Sequence, residues 1–439
     1  MKLILYSWDA NNEQILADNL IKLGFDVVWF RKVCRHYTRD MELAMEMIQT
    51  VHREGAEAVV SFNYFPIISM ICQTCGIMYY AWVYDCPHFT LYAKQIGSPC
   101  NQIGIFDREM VRRLEDDYGI HTVYHAPLAV DCAYFERALA RASRKGREKY
   151  RCDVSFVGSL YTDEHNYYDL LFSGGRGSGN VQSADRDRQG GDAESAAAAE
   201  RGSMEAVIRQ QCFTYEKDYL RQAVSSEQIN LAGLQKSMEE QGLMLGEDYF
   251  ARPGDILVAA VLEKKVTVEE RRRLLTELAE LQKNYDTGVI TEDCGKEGID
   301  RKYEFRLYTG SDTGALPKLH AHNCGRVDYH TQMPLVFAGS RINLNISLRS
   351  IHSGIPLRVL DIMACGGFVL SNRQPEIAEY FGEGVEIATF GSMEECMDKV
   401  HYYLAHEEAR RRIAEAGQRK VQAAFSYASG LMRLFKMQE

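Results

Sequence analysis

The sequence lacks several features that would assign it to a common class of protein. No apolar run approaches the roughly 20 residues of a membrane-spanning helix, so we expect no integral membrane segment. The start, MKLILYSWDANNEQ, has a short apolar core without a small-residue cleavage pattern, so we expect a cytoplasmic protein without a signal peptide. The net charge of −10 argues against general nucleic-acid binding, because phosphates would repel this chain.

Two common nucleotide-binding motifs are also missing. No GxxxxGK[ST] occurs, so a Walker-type ATPase or kinase is unsupported. The glycine-rich stretch 173–203 does not fit GxGxxG, because Asn180 stands where the third glycine would fall and no strand directly precedes it. Its low-complexity composition predicts a disordered inserted loop.

Cysteine is present but irregularly spaced, with 12 residues in the chain. Cys72 and Cys75 form a lone CxxC inside a predicted helix, and we interpret them as structural thiols. His320, His322 and Cys324 have a metal-like spacing, but alternating polar residues near a loop give the same string. We therefore expect no bound metal and no organic cofactor.

Short apolar strands alternate with amphipathic helices along most of the 439 residues. This alternation predicts an α/β protein with parallel, doubly wound sheets. We predict a Rossmann-like domain over 1–145, a second over 150–420 containing the insert 173–203, and a C-terminal helix over 421–439 that crosses back to the first domain. Two domains of this kind would face each other across a cleft.

Ligands of doubly wound sheets bind beyond the carboxyl ends of the strands. In the first domain the polar and aromatic residues at those ends are Trp8, Asp9, Asn63, Tyr84, Asp85 and Asp107. In the second domain the strand CDVSFV runs into Gly158 and Ser159, a corner whose backbone can approach a ligand closely. By contrast, we interpret Arg271–Arg273 in VEERRRLLTELAEL as a solvated helix face.

The stretch SGIPLRVLDIMACGGFVLSNRQPEIAEYF predicts a helix that starts near Ile355 or Pro356. Gly354 would let the backbone approach a ligand, and the free N–H groups and dipole of the helix start would favour a diphosphate. Arg358 adds a cation in the first turn, and Asp361, three residues on, suits a pair of ribose hydroxyls. An ordinary capped βαβ unit explains the same pattern, and the residues alone leave both readings open.

The same stretch resembles the donor-binding segment of GT-B glycosyltransferases with a family 1/4-like C-terminal domain. YYAWVYDCPHFTLY, IGIFDREMVRRL, VYHAPLAVD, DVSFVGSLY and KKVTVEERRRLL, in that order, resemble the CgeB-like group, the spore maturation protein type. The resemblance implies a GT-B fold and transfer of a sugar from a UDP-, GDP- or dTDP-sugar to an unknown acceptor. It further implies a retaining, metal-independent hexosyltransferase (EC 2.4) whose nucleotide sugar is a substrate.

The resemblance also assigns roles to residues. Asp361 falls on the second acidic position of the E-x7-E pattern, which binds the ribose, whereas the first acidic position is Ser353 here. Arg358, with Arg341, would replace an Arg/Lys pair that many relatives carry after the first C-terminal strand. The predicted donor-binding residues are Gly158, Ser159, Leu160, Asn345, His352, Ser353, Gly354, Pro356, Leu357, Arg358 and Asp361.

The resemblance implies that the acceptor binds at the first domain, where the strand-end residues Trp8, Asp9, Asn63 and Tyr84 lie. By their position after the fourth strand, Asp85 and His88 are the candidates for the catalytic base. Asn345 would bond a sugar or a loop, and Glu376 would cap the next helix or contact the donor sugar. Two other functions stay open: a noncatalytic sugar-nucleotide-binding protein of the same fold, and a GT-B epimerase or hydrolase.

Overall fold

The computed structural model describes residues 1–162, 168, 190–215, 217–225, 255, 257–286 and 303–437. Two separate parallel sheets form within these residues, and helices connect successive strands of each sheet. The predicted class, α/β with two Rossmann-like units, is confirmed. None of the described helices combines the length and the hydrophobicity needed to cross a membrane.

The first sheet has six strands in the order β2-β1-β3-β4-β5-β6. Residues Leu3 to Tyr6 of its central part are completely buried, because helices cover both faces of the sheet. The strands are β1 (Lys2–Ser7), β2 (Asp26–Arg31), β3 (Ala58–Phe62), β4 (Met78–Val83), β5 (Asn101–Ile105) and β6 (Val123–His125). The accompanying helices are α1 (Glu13–Lys22), α2 (Met41–Glu54), α3 (Pro66–Cys75), α4 (Arg108–Tyr118), α5 (Cys132–Arg141) and α6 (Arg144–Lys149).

The second sheet has five strands in the order β11-β10-β9-β7-β8. From β7 the chain goes first to β8 on one side and later to β9 on the other, so the switch point of the sheet lies between β7 and β9. The strands are β7 (Cys152–Val157), β8 (Phe305–Tyr308), β9 (Ser340–Asn345), β10 (Val369–Asn372) and β11 (Ala388–Phe390).

The helices of the C-terminal unit include a long crossover between β7 and β8. They are α7 (Gly190–Gln211), α8 (Tyr219–Ser225), α9 (Glu263–Asp286, preceded by a π-helical turn at Val258–Leu262), α10 (Pro317–His320), α11 (Met333–Gly339), α12 (Leu357–Ala364), α13 (Pro375–Tyr380), α14 (Met393–Ala405), α15 (Glu407–Ala424) and α16 (Tyr427–Leu434). The predicted disordered loop is wrong for 190–203, which belongs to α7, while 173–189 lies outside the described residues.

The last helix, α16, packs on the first sheet and not on the second. Tyr427, Leu431 and Leu434 are buried in the same apolar cluster as Leu3 and Leu5 of β1. Gly430 makes this approach close, because a Cβ atom there would lie 2.5 Å from Cη2 of Trp82. The last helix of the chain therefore returns to the first unit and connects it to the second. The predicted limits of the two domains remain a prediction.

Candidate functional site

An open cleft of about 780 Å³ lies beyond the carboxyl ends of β7 and β8, next to the switch point of the second sheet. Gly158 and Ser159 follow β7 on its floor, and the segment 309–311 follows β8. Arg358 lines it from α12, and Asn11 reaches it from the loop after β1 of the other unit. Residues predicted from the sequence thus meet at the place where doubly wound sheets bind ligands.

The start of α12 carries backbone donors without partners inside the helix. Pro356 is the N-cap with extended backbone (φ −63°, ψ 143°), and none of the described side chains caps the helix. The amides of Leu357 and Arg358 belong to the first turn, where intrahelical acceptors are missing, so this end favours an anion. The helix begins within two residues of the predicted position.

The role predicted for Gly354 is wrong. A Cβ atom at this position would lie 2.7 Å from Cδ2 and 2.8 Å from the backbone oxygen of Phe106, in the loop after β5. Such distances are below any relaxed carbon contact, so only glycine fits without a shift. Gly354 allows the two units to approach each other, and not a ligand to approach the helix.

Arg358 and Asp361 form a pair on one face of α12. The Arg358 side chain is 30% exposed, and its Nη1 lies 3.4 Å from Oδ2 of Asp361. Asp361 is 1% exposed, and its Oδ1 accepts a hydrogen bond of 2.9 Å from the hydroxyl of Tyr329. Asn12 in turn donates to that hydroxyl at 3.1 Å, which links the two units. Tyr329, and not Asp361, lines the cleft.

Burial raises the pKa of Asp361 to about 6, although the Arg358 cation and the Tyr329 hydroxyl act to lower it. The dry surroundings of the carboxylate therefore outweigh both of its partners. A ribose would reach this carboxylate only after Tyr329 moved aside.

Of Arg271–Arg273, predicted as a solvated helix face, Arg272 is exposed and Arg273 is half-buried, but the prediction is wrong for Arg271. It is 8% exposed, and its Nη1 donates at 2.6 Å to the backbone oxygen of Ser159, while its Nε donates at 3.2 Å to that of Ile346. Ser159 follows β7 and Ile346 follows β9, so the guanidinium spans the switch point beneath the cleft floor. Within the described part of the chain, no carboxylate forms a salt bridge with it.

The electrostatic surroundings of Arg271 favour an incoming anion. Burial is the largest effect and lowers the pKa of Arg271. The Arg358 cation also acts to lower this pKa, whereas Tyr161 and Glu270 act to raise it. Two guanidinium groups close enough to influence each other repel unless negative charge lies near them. Arg271 follows the helical spacing of the buried face of α9, which also contains Thr267, Leu274, Leu275 and Leu278. This spacing in the sequence indicates that Arg271 is buried.

Ser353 lies in the contact between the two units. Its Oγ is 2.9 Å from Oδ1 of Asp107 and 2.7 Å from Oε1 of Glu376, and it accepts from the amide of Glu109 at 3.0 Å. Asp107 also accepts from the amide of His352 at 2.6 Å. A carboxylate in place of Ser353 would face two buried carboxylates, which explains the neutral residue at this position.

Glu376 is therefore part of this interface and neither a simple helix cap nor a cleft residue. It accepts from the amide of Arg108 at 3.0 Å and lies 2.8 Å from Nε2 of His125. Burial acts to raise the pKa of Glu376, but His125 and the other donors outweigh it and lower the pKa.

The acceptor-side residues gather at the carboxyl edge of the first sheet. Asp9 and Asn63 both have positive φ (72° and 59°), a conformation in which Asp and Asn are enriched. Asn63 accepts from the amides of Tyr84 and Asp85 at 3.1 and 3.2 Å, and its Nδ2 donates to Oδ2 of Asp85 at 2.7 Å. Trp8 stacks on Tyr84 with ring centroids 6.4 Å apart. Asp85 is thus exposed but held in one orientation.

His88 is tied into its own loop. Its Nε2 lies 3.2 and 3.1 Å from the backbone nitrogen and oxygen of Tyr64 and 2.7 Å from Oγ1 of Thr90. Burial lowers the pKa of His88. We interpret it as an anchor for the loop after β4, and the geometry gives no support to a catalytic role.

The remaining residues predicted to bind the sugar donor are mostly buried, and their side chains do not line the cleft. The Leu160 side chain is buried, and its amide donates to Oγ of Ser311 at 2.8 Å. Asn345 is buried and donates to Ser347 and Ser371, which settles its open alternatives in favour of a structural role. Pro356 is also buried, whereas Leu357 is half-buried.

Arg341 lies at the wrong end of the sheet for the role suggested to it. It follows Ser340 at the amino end of β9 and pairs with Asp153 at 3.2 Å and Glu407 at 3.1 Å. Arg271 occupies the place at the strand ends that Arg341 was expected to serve. Among the residues described, no three His, Cys, Asp or Glu side chains are grouped as metal ligands.

Comparison with known proteins finds a family model that matches part of the chain and solved structures that share its fold. Residues 271–436 match a family model described as glycosyl transferase-like. A glycosyltransferase from Rickettsia africae has a similar structure at 10% identity, over 100% of this chain and 99% of that chain, with a TM-score of 0.50. Anabaena HepE in complex with UDP and glucose is similar at 9% identity, over 99% and 98%, with a TM-score of 0.50.

Sucrose-phosphate synthase from Thermosynechococcus elongatus is similar at 8% identity, over 100% of this chain and 98% of that chain, with a TM-score of 0.52. Comparison with curated protein sequences finds no match. At such low identities the likeness concerns the fold. The chain therefore has the GT-B fold, and its residues 271–436 match the glycosyl transferase-like family.

Proposed function

We propose that this protein is a CgeB-like glycosyltransferase that transfers a sugar from a nucleoside-diphosphate sugar to an acceptor. One observation carries the proposal: Arg358 of the first turn of α12 lines one cleft together with Gly158 and Ser159, and the buried Arg271 donates to the backbone oxygen of Ser159 beneath the cleft floor. This volume is lined by the cations Arg326 and Arg358, by the carboxylate of Asp328 and by the hydroxyl groups of Ser159, Thr309 and Ser311.

The diphosphate of the donor is proposed to lie against the first turn of α12. The leaving group of the transfer is a nucleoside diphosphate, whose negative charge grows as the bond to the sugar breaks. The amides of Leu357 and Arg358 and the two guanidinium groups would stabilise that charge. Anabaena HepE, whose structure contains UDP and glucose, has the same fold and supports this assignment.

The nucleoside is proposed to extend over Gly158, Ser159 and the segment 309–311 on the cleft floor. The ribose-binding role of Asp361 stays part of the proposal, with the added requirement that Tyr329 leave its hydrogen bond. Ser353 and Gly354 do not enter this site, because both serve the contact between the two units.

The acceptor is proposed to approach from the edge of the first sheet that carries Trp8 and Tyr84. Asp85 is the better candidate for the catalytic base, because it is exposed and oriented by Asn63. Three further parts of the proposal derive from the resemblance of the sequence: retention of configuration, a hexose as the transferred sugar and independence from metal ions. A cytoplasmic location also remains part of the proposal.

A turnover assay tests the proposal. The full chain is incubated with UDP-, GDP- and dTDP-hexoses and a lysate as the source of acceptor, with and without EDTA, and the nucleotide and the glycosylated product are both measured. We expect product formation that EDTA leaves unchanged and that Asp85→Asn lowers at least tenfold. Binding without turnover would instead indicate a noncatalytic protein, and free UDP without a product would indicate a hydrolase or epimerase.

A further inference from the structure

A second cavity lies on the C-terminal unit, away from the nucleotide cleft. Two connected spaces of about 610 and 150 Å³ share Tyr215, Lys217 and the segment 373–375 as walls. The larger space extends to the ends of β10 and β11, and the smaller one ends at Glu263 and His352. We call this continuous space the lateral groove.

Among the residues that the structure describes, two that line the lateral groove each carry a buried polar atom without a hydrogen-bond partner: Oε2 of Glu263 and the hydroxyl of Tyr215. Glu263 is 4% exposed, and its other oxygen lies 3.3 Å from Nε2 of His352. A buried acceptor or donor left unpaired lowers stability, so such atoms mark places where a ligand supplies the partner.

The charged side chains of the groove are largely neutralised by neighbours. Arg349 bonds to Glu270 and to the backbone oxygens of Gln211 and Thr214. Arg373 pairs with Glu395, and His352 pairs with Glu263. Lys217 also lines the groove, as do the acids Asp218 and Glu383, so the cations of the groove are matched by lining acids. A neutral ligand therefore fits better than a phosphate or a nucleotide.

Aromatic side chains form the other walls of the groove. Phe213, Tyr215 and Tyr219 line it together with the apolar Ile377 and Phe381. A sugar ring has apolar C–H faces that pack on aromatic rings and a rim of hydroxyl groups that both donate and accept hydrogen bonds. The orphaned Glu263 oxygen accepts a hydroxyl proton, and the Tyr215 hydroxyl offers the complementary partner.

We propose that the lateral groove binds a neutral oligosaccharide that forms part of the acceptor, whereas the reacting end of the acceptor lies at the edge of the first sheet with Trp8 and Tyr84. This proposal rests on the function proposed above. One sugar hydroxyl donates to Oε2 of Glu263, and another accepts from the hydroxyl of Tyr215. The groove ends at His352, four residues before Pro356, and helix α9 joins it to the cleft. Glu263 and Arg271 are eight residues apart on that helix, about 12 Å along its axis.

Binding of defined neutral oligosaccharides to the full chain tests this proposal. Bound compounds are identified on a glycan array and titrated by calorimetry against the parent, Tyr215→Phe, Glu263→Gln and Glu277→Gln. Glu277 is exposed on the same helix and provides the matched control. We expect Tyr215→Phe and Glu263→Gln to lower oligosaccharide affinity roughly 3- to 10-fold, whereas Glu277→Gln and the affinity for UDP stay unchanged.

Thermal unfolding separates a ligand-binding role from a structural one. Because the Tyr215 hydroxyl has no partner in the described part of the chain, its removal is expected to leave the melting temperature unchanged or raise it while the oligosaccharide affinity falls. The proposal is overturned if no neutral oligosaccharide binds the parent, or if Tyr215→Phe and Glu263→Gln bind it as the parent does. UDP binding without oligosaccharide binding would reject the groove alone, and oligosaccharide binding without UDP binding would reject the nucleotide cleft alone.

Discussion

At the scale of single residues, Arg271 and Asp361 show how burial changes the energetic cost of a charge. Burying a cation without a carboxylate partner is unfavourable, and backbone oxygens of Ser159 and Ile346 compensate for it only in part. The helical period of α9 placed Arg271 among buried residues, so its burial was predictable from the sequence. Its partners were not, because they come from strand ends that are distant along the chain.

The raised pKa of Asp361 gives a prediction about stability and pH. Its folded-state pKa is about 6 and its ordinary value is 3.8, so the folded protein holds the proton longer than the unfolded chain does. The contribution of this group to the free energy of unfolding therefore falls as the pH rises from about 4 to 6 and is flat above. Asp361→Asn should gain stability relative to the parent over that window, by roughly 2–3 kcal/mol.

Urea unfolding of the parent and of Asp361→Asn at pH 4, 5, 6 and 7 measures this difference. Comparison of the two proteins removes the contributions of the other carboxylates. A difference that does not change between pH 4 and 6 would show that burial does not perturb Asp361.

Ser353 carries a second prediction at this scale. Ser353→Glu places a third carboxylate beside Asp107 and Glu376, and we expect it to lower the free energy of unfolding by roughly 3–5 kcal/mol. Ser353→Ala is the control, with an expected loss of about 1 kcal/mol, since both carboxylates keep other donors. Equal stability of the two variants would place position 353 outside the interface.

At the scale of elements, the pattern of alternating strands and helices predicted both sheets. This was possible because the spacing of apolar residues and the residues that end a strand are visible within a short stretch of sequence. The start of α12 was also close to its prediction. The disorder predicted for 190–203 was wrong. The composition of this segment gives no information about the next turns of the same helix, in which Met204 and Ile208 are buried against the π-helical turn before α9. The contact of Gly354 with Phe106 leaves no local signal at all.

Gly354 gives the prediction at this scale. Gly354→Ala forces a methyl group against the Phe106 ring and backbone, so the loop before α12 and the loop after β5 must separate. We expect a loss of roughly 1–3 kcal/mol in the free energy of unfolding. Gly202→Ala is the control, because nothing lies within 4 Å of its Cβ position and it is inside α7.

For the Gly202→Ala control we expect the free energy of unfolding to rise by about 0.5–1 kcal/mol, because alanine has the higher helix propensity. Denaturant unfolding of the two variants compares them directly. A Gly354→Ala protein as stable as the parent would contradict the close contact between the units.

At the scale of the whole molecule, the two units are joined by polar contacts on one side and enclose the cleft on the other. Ser353, Asp107 and Glu376 hold one side closed, while Asn12 and Tyr329 cross at the cleft itself. The sequence predicted which residues lie at the strand ends, but not how these ends face each other. That arrangement depends on the docking of the units, to which α16 contributes through its return to the first sheet.

The central claim is that the cleft binds a nucleoside diphosphate through α12 and its arginine, and calorimetric titration with UDP tests it most directly. Arg358→Ala should weaken UDP binding about 10-fold or more, because a charge-assisted contact to phosphate is lost. Arg412→Ala, an exposed site on α15, should bind UDP as the parent does. Equal affinity of the Arg358→Ala protein and the parent would contradict the claim.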